Sequence, residues 1–181
     1  MTAAAARETF AWIPGGDAGT FATLERMAQL VRGEYASDAV RSLAIDVTPH
    51  HAPLGFTFCP GQRLTTLRQW LAGRLHFTED PRGVEALHTP KRLIEMLERT
   101  GELAVDCDDV AIFAAALAAS LGYPVRFVAV ALDFSDAFVH VWAEAALPSR
   151  PGYVIEFDIT RPFQAMPVGS FRRTLLYPVV L

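Results

Sequence analysis

A chain of 181 residues is long enough to bury a real core and short enough to form one domain. It is 51% hydrophobic and 20% charged, which excludes a disordered chain. Its net charge is −4, its basic residues are spread out and Lys91 is the only lysine, which excludes the concentrated basic face of a nucleic-acid binder. The opening MTAAAARETFAW lacks the long apolar stretch of a secretory signal, and the longest greasy run, Val110 to Leu121, falls short of the roughly 20 residues that span a bilayer. A cytoplasmic protein is expected, with no membrane or nucleic-acid partner, and with Cys59 and Cys107 as reduced thiols rather than a disulfide scaffold.

The first third has helical spacing. In DAGTFATLERMAQLVRG the apolar Phe21, Leu24, Met27, Ala28 and Val31 share one face, with Asp17 as the expected cap and Gly33 as the expected stop. SDAVRSLAID predicts a second, shorter helix. VTPHHAPLGFTFCPG breaks all periodicity and reads as a loop. RLTTLRQWLAGRLHF resumes helical spacing through Leu64, Leu67, Trp70, Leu71 and Leu75. TPKRLIEMLERTG is a compact helix, with Thr89 as cap, Pro90 in the first turn and Gly101 as stop. His50, His51 and His88 fall in loops or at a helix start, where solvent exposure is expected.

The centre and the second half differ. ELAVDCDDVAIFAAALAASLGYP sets Asp106, Cys107, Asp108 and Asp109 before a dozen apolar residues, the pattern of a helix buried on every side. Beyond it, VRFVAVALDF, DAFVHVWAEAAL and PGYVIEFDIT predict three strands joined as hairpins, and FRRTLLYPVV a further one. Helices first, a buried helix in the middle and then an antiparallel sheet make an α+β pattern.

Three aspartates around one cysteine admit several chemistries. A plain helix start accounts for all three: Asp106 as N-cap, Asp108 and Asp109 in the first turn, where the helix dipole favours negative charge. It does not account for the cysteine. An Asp-x-Asp phosphatase site fits LAVDCDDV loosely, but needs a downstream lysine, and Lys91 lies upstream. A metal site would combine a soft thiolate with hard carboxylates and lacks the EF-hand glycine and closing glutamate, so no metal and no cofactor is expected. A buried structural cysteine is one account of the thiol, and a nucleophile is the other. The helix N-terminus favours its thiolate, the nearby carboxylates oppose it, and a neighbouring imidazolium is needed to offset them.

FVHVWAE supplies a histidine. Strict alternation puts His140 on one face with Phe138, Trp142 and Glu144, and Val139, Val141 and Ala143 on the other. YVIEFDIT then places Asp158 near a strand end. In the ordered set Cys107, His140, Asp158, the imidazole takes the thiol proton and Asp158 orients the ring. Such a thiol should alkylate faster than Cys59, with a pH profile below the usual thiol pKa of about 8.5.

DCDDVAIFAAALAASLGYPVRFVAV, then HVWAEA, then FDIT resemble the core of the transglutaminase-like superfamily, and LHFTEDPRGVEALHTPKRLIEML resembles the segment that precedes the family's cysteine. The likeness covers about residues 63 to 162. It implies a papain-like α+β fold with the nucleophile helix packed on an antiparallel sheet, and a triad of Cys107, His140 and Asp158. Val105 stands where the family usually has glycine. The implied function is a thiol acyl-transfer enzyme acting on a peptide or protein amide, whether cysteine peptidase, amidase or transglutaminase. The alternative is a catalytically silent module with a structural or partner-binding role, for example in a phage particle or assembly. Residues 1–60 are expected to form a helical extension packed on a core of residues 61–181, and to offer a contact surface for such an assembly. Trp142, Phe138, Asp106 and Trp70 are the candidates for lining the cleft.

Overall fold

The computed structural model describes residues 15–48, 60–79, 86–132, 136–159 and 171–181. Their elements run α1 (Gly16–Glu34), α2 (Asp38–Val47), α3 (Pro60–Ala72), β1 (Leu75–Phe77), α4 (Pro90–Thr100), β2 (Leu103–Val105), α5 (Cys107–Ser120), β3 (Val125–Leu132), β4 (Phe138–Ala146), β5 (Val154–Glu156) and β6 (Phe171–Val179). Residues 49–59, with His50, His51 and Cys59, lie outside the described residues. So do residues 80–85 of the turn before α4.

The arrangement follows from α5. Every residue from Asp108 to Ala119 is buried, and Ile112, Phe113 and Leu117 have no exposed surface at all. A helix apolar on all sides must be surrounded. One side lies on the sheet, against β4 and β3; α1, α2, α3 and α4 close the others. The run of alanines lets those neighbours approach closely, because a methyl group adds little to the helix radius. Asp106 caps the helix, its side chain accepting the Asp109 N–H at 3.1 Å. At the other end Gly122, at φ 85°, turns the chain out towards β3.

The sheet has the order β5-β4-β3-β6, antiparallel throughout. Register fixes which side chains share a face. Phe127, Ala129, Val141, Ala143 and Ala145 join the core with α5, while Val128, Val130 and Trp142 form a smaller cluster on the opposite face, with Phe171 against it. The register of β3 on β4 slips between Val130, opposite His140, and Ala131, opposite Phe138. Val139 is therefore the extra residue of a bulge. The bulge overturns the simple alternation expected for this strand: Phe138 pairs on the α5 side and packs into the main core, so it does not share a face with His140.

Four further points differ from the expected layout. The RLHF end of the third helical segment leaves the helix at Gly73. Leu75–Phe77 then pairs in parallel with Leu103–Val105, a small sheet that the helical spacing concealed. Helix α1 starts one residue before Asp17, whose carboxylate is taken by Arg173 of β6 at 2.6 and 2.9 Å, and it runs past Gly33 to Glu34. The Tyr177 hydroxyl donates to Glu25, a second tie from β6 to α1. The third predicted strand is only three residues long, so Asp158 follows it rather than ending it. Helix α4 forms as expected: Thr89 accepts the Arg92 N–H, Pro90 opens the first turn, and Gly101 closes it at φ 81°.

No helix among the described residues is long and apolar enough to cross a membrane. Because α5 is the common partner of sheet and helices, truncating its centre should be costly. Phe113→Ala is expected to lower unfolding free energy by about 3–5 kcal/mol, measured by urea denaturation.

Candidate active site

Helix α5 packs on strand β4, and the segment after β5 returns to β4 at His140. Asp106 is extended, and its cap turns the chain so that Cys107 is the first helical residue. Its thiol is half-buried and donates to the Asp108 carboxylate at 3.6 Å, and the Val141 backbone amide is close enough to favour the ionised sulfur. That places Sγ at the edge of β4, beside the residue that follows His140. Strand β5 pairs with Glu144–Ala146, and among the described residues no strand continues that pairing to Val141.

His140 is buried, with 6% of its surface exposed. Its Nε2 lies 3.0 Å from Oδ1 of Asp158, and its ring centroid lies 5.8 Å from that of Trp142. Asp158 is carried there by the backbone: Phe157 N–H donates to the Ala143 carbonyl at 2.8 Å, continuing the pairing of β5 with β4 just past the strand. The bulge at Val139 immediately precedes the histidine, and a bulge of this kind re-aims the next side chain. On the same strand, Glu144 sits opposite Arg126 and accepts from its Nε at 2.7 Å and its Nη2 at 2.6 Å. This cross-strand pair pins the register that positions His140.

The surroundings of Cys107 oppose its ionisation. Burial pushes the thiol well up from its ordinary value, the Asp108 charge adds to this, and Asp106 adds more; the Val141 N–H pulls the other way. A thiolate at low pH, as expected from the helix N-terminus, does not follow from this part of the environment. The helix dipole is outweighed by desolvation and two carboxylates, which leaves a protonated imidazole as the group able to offset them.

The third aspartate is engaged elsewhere. Asp109 is buried, and one residue supplies donors to both of its oxygens: the His88 backbone N–H reaches Oδ1 at 2.8 Å and His88 Nδ1 lies 2.6 Å from Oδ2. His88 was expected in solvent. It is instead half-buried, 30% exposed at the side chain, because the buried first turn of α5 presents a carboxylate that needs donors. That demand was the available signal, since a first-turn aspartate on a helix apolar all round cannot stay solvated.

The remaining candidates separate. Asp106 is the cap. Trp142 is buried against Val128, Val130 and Phe171, and among the described residues its indole Nε1 has no hydrogen-bond partner. Trp70 is partly buried against the main core, with the Arg74 guanidinium 4.8 Å above its ring. Phe138 lies under the Arg173 guanidinium at 4.7 Å. Among the described residues no three His, Cys, Asp or Glu side chains are grouped as a metal ion would need them.

A buried helix that opens on a cysteine and packs its side on an antiparallel sheet, with a histidine on the adjacent strand, defines a papain-like α+β fold. A model of the transglutaminase-like superfamily matches residues 57–155. The chain belongs to that superfamily. Among solved structures it is similar to the "Putative Cysteine Protease from Cytophaga hutchinsonii", at 17% identity and a TM-score of 0.50. That match covers 85% of this chain and 46% of the other, so the chain spans less than half the length of that protein. No curated protein matches it.

The raised thiol has a consequence for stability. Unfolded chain ionises Cys107 near pH 8.5 to 9, whereas folded protein holds the proton to higher pH. The unfolded state then binds fewer protons, so this contribution to stability is full below about pH 8.5 and declines as pH rises above it. Cys107→Ala should flatten the fall of urea midpoint between about pH 8 and 10; an unchanged slope would assign the fall to other groups.

Proposed function

We propose that the chain is a thiol acyl-transfer enzyme in which Cys107 is the nucleophile, His140 the general base and acid, and Asp158 the group that orients His140. The observation that carries this reading is the buried His140 held by the Asp158 carboxylate at 3.0 Å, on the strand whose Val141 amide favours an ionised Cys107 at the start of α5. With Nε2 directed to Asp158, Nδ1 is the nitrogen assigned to the thiol proton.

The sequence of bonds is then as follows. The thiol proton first passes to His140 Nδ1; the thiolate sulfur then bonds to an amide carbonyl carbon, and the C=O π pair moves to oxygen. Transferring that proton rather than releasing it matters here, because the product is a thiolate–imidazolium pair of no net charge in a site that disfavours a lone thiolate. The oxyanion is assigned to the Cys107 backbone N–H at the helix start. His140 returns the proton to the leaving nitrogen, the C–N bond breaks, and ammonia or an amine departs from a thioester. Water or a second amine next adds to the thioester, giving hydrolysis or transamidation and restoring the thiol. Superfamily membership and the similarity to a structure named as a cysteine protease support this class of chemistry.

Alkylation tests the proposal without a known substrate. Cys107 should react with iodoacetamide at neutral pH about 10- to 100-fold faster in the wild type than in His140→Ala, with Asp158→Asn between them. Rates equal in wild type and His140→Ala would count against the enzyme and favour a catalytically silent module. Asp108→Asn removes a charge that opposes the thiolate, so its alkylation profile should move to lower pH.

A further inference from the structure

A second histidine–carboxylate pair, His88 with Asp109, lies two residues along the helix from the thiol. We propose that His88 and Asp109 are a positioning pair for Cys107: they fix the first turn of α5, and with it the sulfur's place at the edge of β4. This inference rests on the acyl-transfer reading of the same site.

The connections form a closed chain. His88 holds both oxygens of Asp109, one through its backbone and one through its ring. The Asp109 N–H is in turn held by the Asp106 side chain, which caps the helix one residue before Cys107. The next residue after His88, Thr89, caps α4, and α4 packs on α5. The first turn of the nucleophile helix is thus clamped from its own cap and from the start of a neighbouring helix. A bidentate clasp fixes orientation as well as distance, which a single contact does not.

The clasp also sorts the three carboxylates. Asp106 serves as the cap, Asp109 is turned to His88, and Asp108 is the one that accepts from the thiol. Without the His88 ring donor, a buried carboxylate keeps one donor instead of two. Such a group shifts to find others, and the thiol two residues before it is the nearby side chain that moves with the turn. His88 does not touch the reacting atoms in this account. It acts through Asp109 on where Cys107 stands relative to His140.

Two conservative replacements separate position from mere polarity. Asparagine places an amide N–H where Nδ1 stands; glutamine places it nearer Nε2, out of line with Asp109. The readout is Cys107 alkylation by iodoacetamide, per folded protein, in full-length wild type, His88→Asn, His88→Gln and His140→Ala. His88→Asn should stay within about twofold of wild type and His88→Gln should fall about tenfold. The urea midpoint of each variant reports the folded fraction, so a loss of rate beyond the loss of folded protein is attributable to position. Equal rates for His88→Asn and His88→Gln would overturn the inference while leaving the acyl-transfer reading intact, provided His140→Ala is slow. A His140→Ala variant as fast as wild type would overturn both.

Discussion

Burial of α5 on every side is the constraint from which the rest of the structure follows. Its interior accounts for the sheet on one side and four helices on the others, because no face of it tolerates water. The same burial reaches its N-terminus, where Asp108 and Asp109 are buried and Asp106 and Cys107 half-buried. Each of them then needs a donor or an acceptor from nearby. Asp106 takes the Asp109 N–H, Asp109 takes two donors from His88, and Asp108 takes the Cys107 thiol. The arrangement around the cysteine is what a buried acidic helix start requires, and it leaves the sulfur turned to the edge of β4.

The sheet meets this helix start with its own devices. The Arg126–Glu144 pair holds β4 in register, the bulge at Val139 re-aims the following residue, and the pairing of Phe157 with Ala143 carries Asp158 back to His140. At the far edge, Arg173 with Asp17 and Tyr177 with Glu25 tie β6 to α1. Their effects on charge are consistent with contact: the Arg173 hydrogen bond lowers the Asp17 carboxyl, and the Glu25 carboxylate raises the Tyr177 phenol. The exposed Arg173–Asp17 pair orients these elements more than it stabilises them.

Much of this was legible in the residues. The apolar run after Cys107 announces a buried helix, Thr89-Pro90 and Gly101 announce the bounds of α4, and the alternating runs of the second half announce β3, β4 and β6. What escaped depends on distances along the chain that periodicity does not encode. Leu75–Phe77 continues the spacing of the helix before it, and only the presence of Leu103–Val105 as a partner makes it a strand. The bulge at Val139 is invisible in FVHVWAE because it is a property of two strands together, and it moves Phe138 off the face of His140. His88 looked like an ordinary loop histidine since nothing nearby in sequence asks for it; the demand comes from Asp109, 21 positions away. The order Cys107, His140, Asp158 could be read directly, and Asp158 lies 3.0 Å from His140 Nε2; the part of Cys107 in that set belongs to the proposal.

The central claim is that a proton moves between Cys107 and His140. It can be measured by following His140 in ring-labelled protein by NMR across a pH titration, before and after carboxamidomethylation of Cys107, with His140→Ala to assign the resonance. If the two groups share a proton, blocking the sulfur changes both the midpoint and the shape of the His140 titration. Superimposable titrations of the free and the alkylated protein would contradict the account, because an imidazole indifferent to the sulfur cannot be its base.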